Sequence, residues 1–171
     1  MGAELSQTTK AIWLWELILE HQPFKRFIDI GTWKGNLSLF FFLYSKVRSA
    51  EFYTFDVKNR WGEHLFEFKV GIGFDKHFYQ WDVFQYIEEI GAMIGSTGQT
   101  IIFCDNGNKP REFNVFSQFL KVGDIIVVHD WNKEIFPENV KLPCEKYNLK
   151  EIFVGESEEE GLTRIFQKYE M

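Results

Sequence analysis

Apolar residues fall in short continuous blocks along the chain, and the length and flanks of each block set the element it predicts. Ile12, Trp13, Leu14, Trp15, Leu17, Ile18 and Leu19 follow Thr8 and Thr9, so a helix capped by one of these threonines is expected to run to about Glu20. It keeps so little polar face that most of it should be covered. Phe27-Ile28-Asp29-Ile30 reads as a strand stopped by Gly31, and Asn36 or Ser38 opens a helix to about Lys46 that is apolar at Leu37, Phe40, Phe41, Tyr44 and Val47.

The strand pattern then recurs. Glu51 to Phe55 runs into Asp56, and after a long loop His77 to Trp81 runs into Asp82. Thr100 to Cys104 runs into Asp105, and Asp124 to His129 runs into Asp130, with helical stretches between these later strands. Continuous apolar strands alternating with helices predict an α/β fold whose parallel sheet is buried on both faces, with ligands at the carboxyl ends of the strands. Four aspartates are thereby gathered at the binding edge. The tail breaks the pattern, because Glu151 to Gly155 and Thr163 to Lys168 read as two strands joined by an acidic turn from Glu156 to Gly161. No repeat or linker divides the chain, so residues 1–171 are expected to form a single domain.

Composition narrows the function. The net charge of -6 argues against nucleic acid as a partner, since a phosphate backbone calls for a basic face. No apolar run reaches the ~20 residues that span a bilayer, so no membrane partner is expected. Two distant cysteines, Cys104 and Cys144, fit reduced thiols and a cytoplasmic location better than a disulfide framework. Aromatic residues make up 18% of the chain, more than a compact core usually demands, which suggests that some line a pocket.

Asp29-Ile30-Gly31-Thr32-Trp33-Lys34-Gly35 lies between a strand and a helix. Gly31 allows a sharp turn, Gly35 lets backbone approach a ligand, and an anionic group can rest at the helix N-terminus while Asp29 attracts an ammonium. Asp56 stands 21 residues beyond Gly35 at the end of the next strand, where a carboxylate can accept the hydroxyls of an adenosine ribose. A dinucleotide site would want a second glycine where Trp33 stands, and the indole there works against a pyrophosphate.

With these residues the chain resembles the class I S-adenosylmethionine (SAM) dependent methyltransferases over nearly its full length. Asp29-x-Gly31-x-x-x-Gly35 is similar to their first motif, Asp56 to the ribose-binding acid and Asp82 to the acid near the adenine amino group. The resemblance implies a Rossmann-like three-layer sandwich with a seven-stranded sheet of order 3-2-1-4-5-7-6 and an antiparallel seventh strand. It further implies cofactor contacts from Asp29, Gly31, Thr32, Gly35, Asp56, Asp82 and Asp105, flanked by an N-terminal helix in residues 1–24. Within the class, Ile102 to Asn108 and Lys121 to Trp131 are similar to the cephalosporin hydroxylase-like group and to small metal-dependent O-methyltransferases. Asn108 fills the place where those relatives often carry histidine.

The expected activity is methyl transfer from SAM to a small-molecule hydroxyl. Asp105 and Asp130 end neighbouring strands and are candidate ligands of Mg²⁺, which prefers oxygen donors. A lysine such as Lys109 or Lys133 would balance the same carboxylates without metal. His129 and Asp130 are the candidate catalytic pair, with His129 as general base or as a packed structural residue. Trp61, Phe66, Phe68, Trp131 and Phe136 either clamp an apolar acceptor or pack in the core or in a homo-oligomer. Two other readings stay open: a non-catalytic SAM- or nucleotide-binding protein of the same fold, and an NAD-dependent oxidoreductase.

Overall fold

The computed structural model describes residues 7–61 and 63–170. Seven strands form one sheet: β1 (Arg26–Ile30), β2 (Glu51–Phe55), β3 (Phe78–Tyr79), β4 (Thr100–Cys104), β5 (Ile125–Val128), β6 (Leu149–Ile152) and β7 (Arg164–Lys168). Their order is 3-2-1-4-5-7-6, and all neighbours are parallel except β7, which runs antiparallel to both β5 and β6. This is the topology the sequence resemblance implied.

Strand periodicity explains the two cores. In β4, Ile101 and Phe103 point to one face while Ile102 and Cys104 point to the other, and every residue of the strand is buried. The first face is packed by α1 (Thr9–His21) and α2 (Asn36–Val47), and the second by α4 (Ile87–Gly95), α5 (Lys109–Ser117) and α6 (Pro137–Tyr147). Much of the aromatic excess goes into the first core. Phe27 stacks on Phe41 with centroids 4.4 Å apart, and Trp15 meets Phe41 and Phe103 edge-on at 4.6 and 4.8 Å. Helix α1 is capped as expected, with the Thr8 side chain accepting from the Ala11 N–H at 3.0 Å. It is covered on one side only, and Trp13 stays exposed.

Three further expectations change. The stretch between β2 and β3 carries a helix, α3 (Glu63–Gly71), and a 3-10 turn (Phe74–His77). Strand β3 is shortened to Phe78–Tyr79, since His77 belongs to that turn. The acidic segment after β6 is a helix, α7 (Val154–Glu160), whose Ser157 and Glu160 face inward while Gly161 ends it at φ 94°. Its helical signal is one inward pair spaced i, i+3 among acids, which reads as a turn when taken alone. The segment 1–6 of the N-terminal flank lies outside the described residues, and no helix among the described residues is long and apolar enough to cross a membrane.

The register positions the site. Ile30 pairs with Phe55 and Cys104, and Cys104 pairs with Val128. Gly31, Asp56, Asp105 and His129 therefore leave the sheet at one level.

Candidate functional site

A cavity of about 450 Å³ opens at that level. Its lining contains Asp29, the turn from Gly31 to Ser38, Asp56, Asp105, His129 and Asp130. Among the described residues, five carboxylates, with Glu134 as the fifth, face three cations, Lys34, Arg60 and Lys109. The balance suits a positively charged ligand.

The glycine turn is held from below. Gly31 has φ 112°, and a Cβ there would stand 2.4 Å from the Asp105 carbonyl oxygen, so both backbone conformation and packing require glycine. Gly35 caps α2 at φ 73° in the left-handed region. The Thr32 hydroxyl is 2.5 Å from that of Thr54, which donates to Asp29 Oδ2 at 2.7 Å, and Ser38 donates to the same oxygen at 2.5 Å. Thr32 thus ties the turn to β2. Asp29 is 1% exposed, and burial pushes its carboxyl up to about 7 against these hydrogen bonds, with Asp105 and Asp56 adding repulsion. Sequence reading did not find Lys69, which reaches the turn from α3 to donate to the Lys34 carbonyl at 2.5 Å. Burial lowers its ammonium to about 8.

Asp56 is 2% exposed, and its carboxylate accepts the Trp33 N–H at 2.9 Å and the Lys58 N–H at 3.0 Å. Arg60 Nη1 lies 3.9 Å from it while the same guanidinium stacks over the Trp33 ring at 4.4 Å. Trp33 has φ 49°, and it lines the cavity while 49% exposed. Asp82 stands apart: it does not line the cavity, and its Oδ1 accepts the Phe84 N–H at 3.0 Å. The aromatic clamp is also not assembled. Phe66, Phe68 and Phe136 are exposed, Trp61 packs on Phe74, Trp131 packs towards Phe166, and none of the five lines the cavity.

At the opposite wall, His129 Nδ1 lies 3.4 Å from Asp105 Oδ1 and 3.6 Å from Asp130 Oδ1. Burial pulls the imidazole pKa down, but the Asp105 contact and the charges of Asp105, Asp130 and Glu160 more than offset it and leave it raised. Asp130 follows β5 at φ 59°, and its carbonyl accepts the Lys133 and Glu134 N–H groups at 3.0 and 2.9 Å. It shapes a turn and does not cap α6, whose N-cap is Phe136. Asn108 caps α5, its side chain accepting the Arg111 N–H at 3.3 Å. Buried Glu112, pushed up to about 7 mainly by burial, accepts the Asn108 N–H at 3.2 Å and the Asn106 N–H at 3.4 Å.

Donor atoms of Asp105, His129 and Asp130 all lie within 4.8 Å of one another, a spacing a divalent cation can use. The residues as arranged do not fit one. Lys109 Nζ stands 3.0 Å from Asp130 Oδ2 and 3.4 Å from Asp105 Oδ1, ion-paired with both carboxylates.

Solved structures of the same architecture include CmcI without ligand, 11% identical with a TM-score of 0.67 over 99% of this chain and 75% of that one. A Clostridium thermocellum protein described as an rRNA methylase is 10% identical with a TM-score of 0.60 over 97% and 99%. The S-adenosylhomocysteine (SAH) bound Podospora anserina methyltransferase PaMTH1 is 12% identical with a TM-score of 0.56 over 99% and 80%. The chain has the class I methyltransferase fold. No protein-family model matches it, and no curated protein matches it in sequence.

Proposed function

We propose that this chain is a single SAM-binding unit that methylates a small-molecule acceptor, with a hydroxyl as the favoured target. One observation carries the reading: the glycine turn, Asp29, Asp56 and the Asp105–His129 pair converge on one cavity at the carboxyl edge of a class I methyltransferase sheet. SAH-bound structures of CmcI and PaMTH1 share that fold, which supports SAM as the ligand.

In this reading Asp56 meets the ribose, the turn from Gly31 to Gly35 receives the carboxylate, and Asp29 faces the ammonium. Thr32 acts through the turn it anchors, and Asp82 is the least supported of the cofactor residues because it does not line the cavity. Bound SAM supplies an electrophilic methyl group. His129 turns Nδ1 to the carboxylates, so its other nitrogen is the one to take the acceptor proton. Asp105 and Asp130 hold the imidazole and stabilise its protonated form. Mg²⁺ has no part in this account, because Lys109 already balances the two carboxylates.

The acidic cavity and net charge of -6 favour a small molecule over nucleic acid, and reduced thiols fit the cytoplasm. A second reading, a ligand-binding protein without turnover, draws on the engagement of Asp56 by two backbone N–H groups and Arg60. Calorimetric titration with SAM and SAH, followed by conversion of SAM to SAH in the presence of phenols and other hydroxyl compounds, tests both. Micromolar binding with turnover is expected. Binding without turnover selects the second reading, and no binding of either at about 1 mM rejects both.

A further inference from the structure

Asp105, His129 and Asp130 present two carboxylates and an imidazole, a donor set that elsewhere takes a divalent cation. Two ionised carboxylates this close repel unless a positive charge is placed between them. Here the charge is supplied from within the chain. Lys109, the first residue of α5, stands four positions beyond Asp105, and its Nζ is 3.4 Å from Asp105 Oδ1 and 3.0 Å from Asp130 Oδ2. Glu134 Oε2 at 2.8 Å and the Asn106 carbonyl at 3.1 Å complete the shell. An ammonium has three protons, and four oxygens surround this one, so its donors are committed. Lys109 is 4% exposed, which keeps the head group from turning to water.

We infer that Lys109 is the resident cation of this site: its ammonium occupies the position a divalent metal would take between Asp105 and Asp130, and fixes both carboxylates and, through them, His129. A divalent ion bound to the same oxygens would lie within a few ångströms of that ammonium and be repelled by it. Lys109 is a positioning residue, since it has no proton left for an acceptor. Its consequence for turnover, independence from added metal, rests on the methyltransferase reading. The occupancy of the site does not.

Mn²⁺ titration followed by electron paramagnetic resonance separates the accounts, with thermal melts to establish folding. The wild type should leave the Mn²⁺ signal unchanged up to about 1 mM, while Lys109→Met gains one Mn²⁺ at least about tenfold more tightly. Adding Asp130→Asn to Lys109→Met should abolish that gain. One Mn²⁺ bound by the wild type and lost in Asp105→Asn overturns the proposal, as does a folded Lys109→Met that binds none. If Lys109→Met does not fold, nitrogen-15 NMR of the wild type decides. Slowly exchanging Lys109 ammonium protons, unbroadened by Mn²⁺, are expected, and fast exchange or broadening overturns the inference. Failure to bind SAM would remove the methyltransferase reading and leave the lysine in place.

Discussion

His129 Nδ1 and Asp105 Oδ1 lie 3.4 Å apart across the gap between the ends of β5 and β4. The contact fixes one side of the imidazole, so the proposed base and the carboxylate proposed to orient it come from neighbouring strands that the register holds level. His129→Gln is expected to lower turnover by about 10²–10⁴-fold while SAH affinity stays within about threefold. Rate against pH should rise along a limb whose midpoint lies above the ordinary histidine value, because the base works only when deprotonated and its folded pKa is raised. Asp105→Asn removes that partner and should move the midpoint down. An unmoved limb in pH–rate measurements would assign the titration to another group.

Asp29 gives the proposed cofactor half its own pH signature. Its carboxyl is held near 7 by burial, above the ordinary 3.8, and an arriving ammonium favours the ionised form. Binding of SAM should therefore release a proton, and affinity should increase as pH rises from about 5.5 to about 7.5. Calorimetry in two buffers of different ionisation enthalpy measures that release. Asp29→Asn should flatten the dependence.

The same shift acts on folding with the opposite slope. A carboxyl whose pKa is raised in the folded state binds more protons there than in the unfolded chain between about 4 and 7, so its contribution to stability falls as pH rises through that window. In the absence of ligand, Asp29→Asn should melt higher than the wild type at pH 7.5, and the gap should close towards pH 5. Denaturation followed at both values checks the sign.

Asp56 performs two tasks, accepting the Trp33 and Lys58 N–H groups and facing the cavity. Asp56→Ala should weaken SAH binding by ~1.5–3 kcal/mol through the lost charge-assisted bonds. Arg60→Ala, which uncovers the carboxylate and leaves the backbone bonds intact, should bind SAH at least as well as the wild type. Loss of affinity in Arg60→Ala would mean that the guanidinium itself contacts the ligand.

Gly31→Ala should destabilise the fold by about 2 kcal/mol or more, because the new Cβ would stand 2.4 Å from the Asp105 carbonyl at a φ of 112°. Gly107→Ala is the control. A Cβ at that position meets nothing within 4 Å, so its chemical denaturation midpoint should stay close to that of the wild type.

Local patterns in the sequence determined the carboxyl ends of β1, β2 and β4 and the glycine turn, and the resemblance those residues carry implied the topology. Short continuous apolar runs that alternate with helices fit a sheet covered on both faces, and glycine at positions 31 and 35 reports backbone conformations that other residues resist. Where a side chain spends its polar atoms depends on neighbours distant in sequence. That decided that Thr32 bonds Thr54, that Asp82 serves its own turn, and that Trp131 goes to the core. Helix α7 was hidden for a related reason, since its covering partner α1 lies far back in the chain and its own residues are mostly solvated acids. The charge balance at Asp105 and Asp130 was also beyond one-dimensional reading. Lys109 and Lys133 were equal candidates in sequence, and only the packing of α5 against the ends of β4 and β5 put Lys109 between the carboxylates.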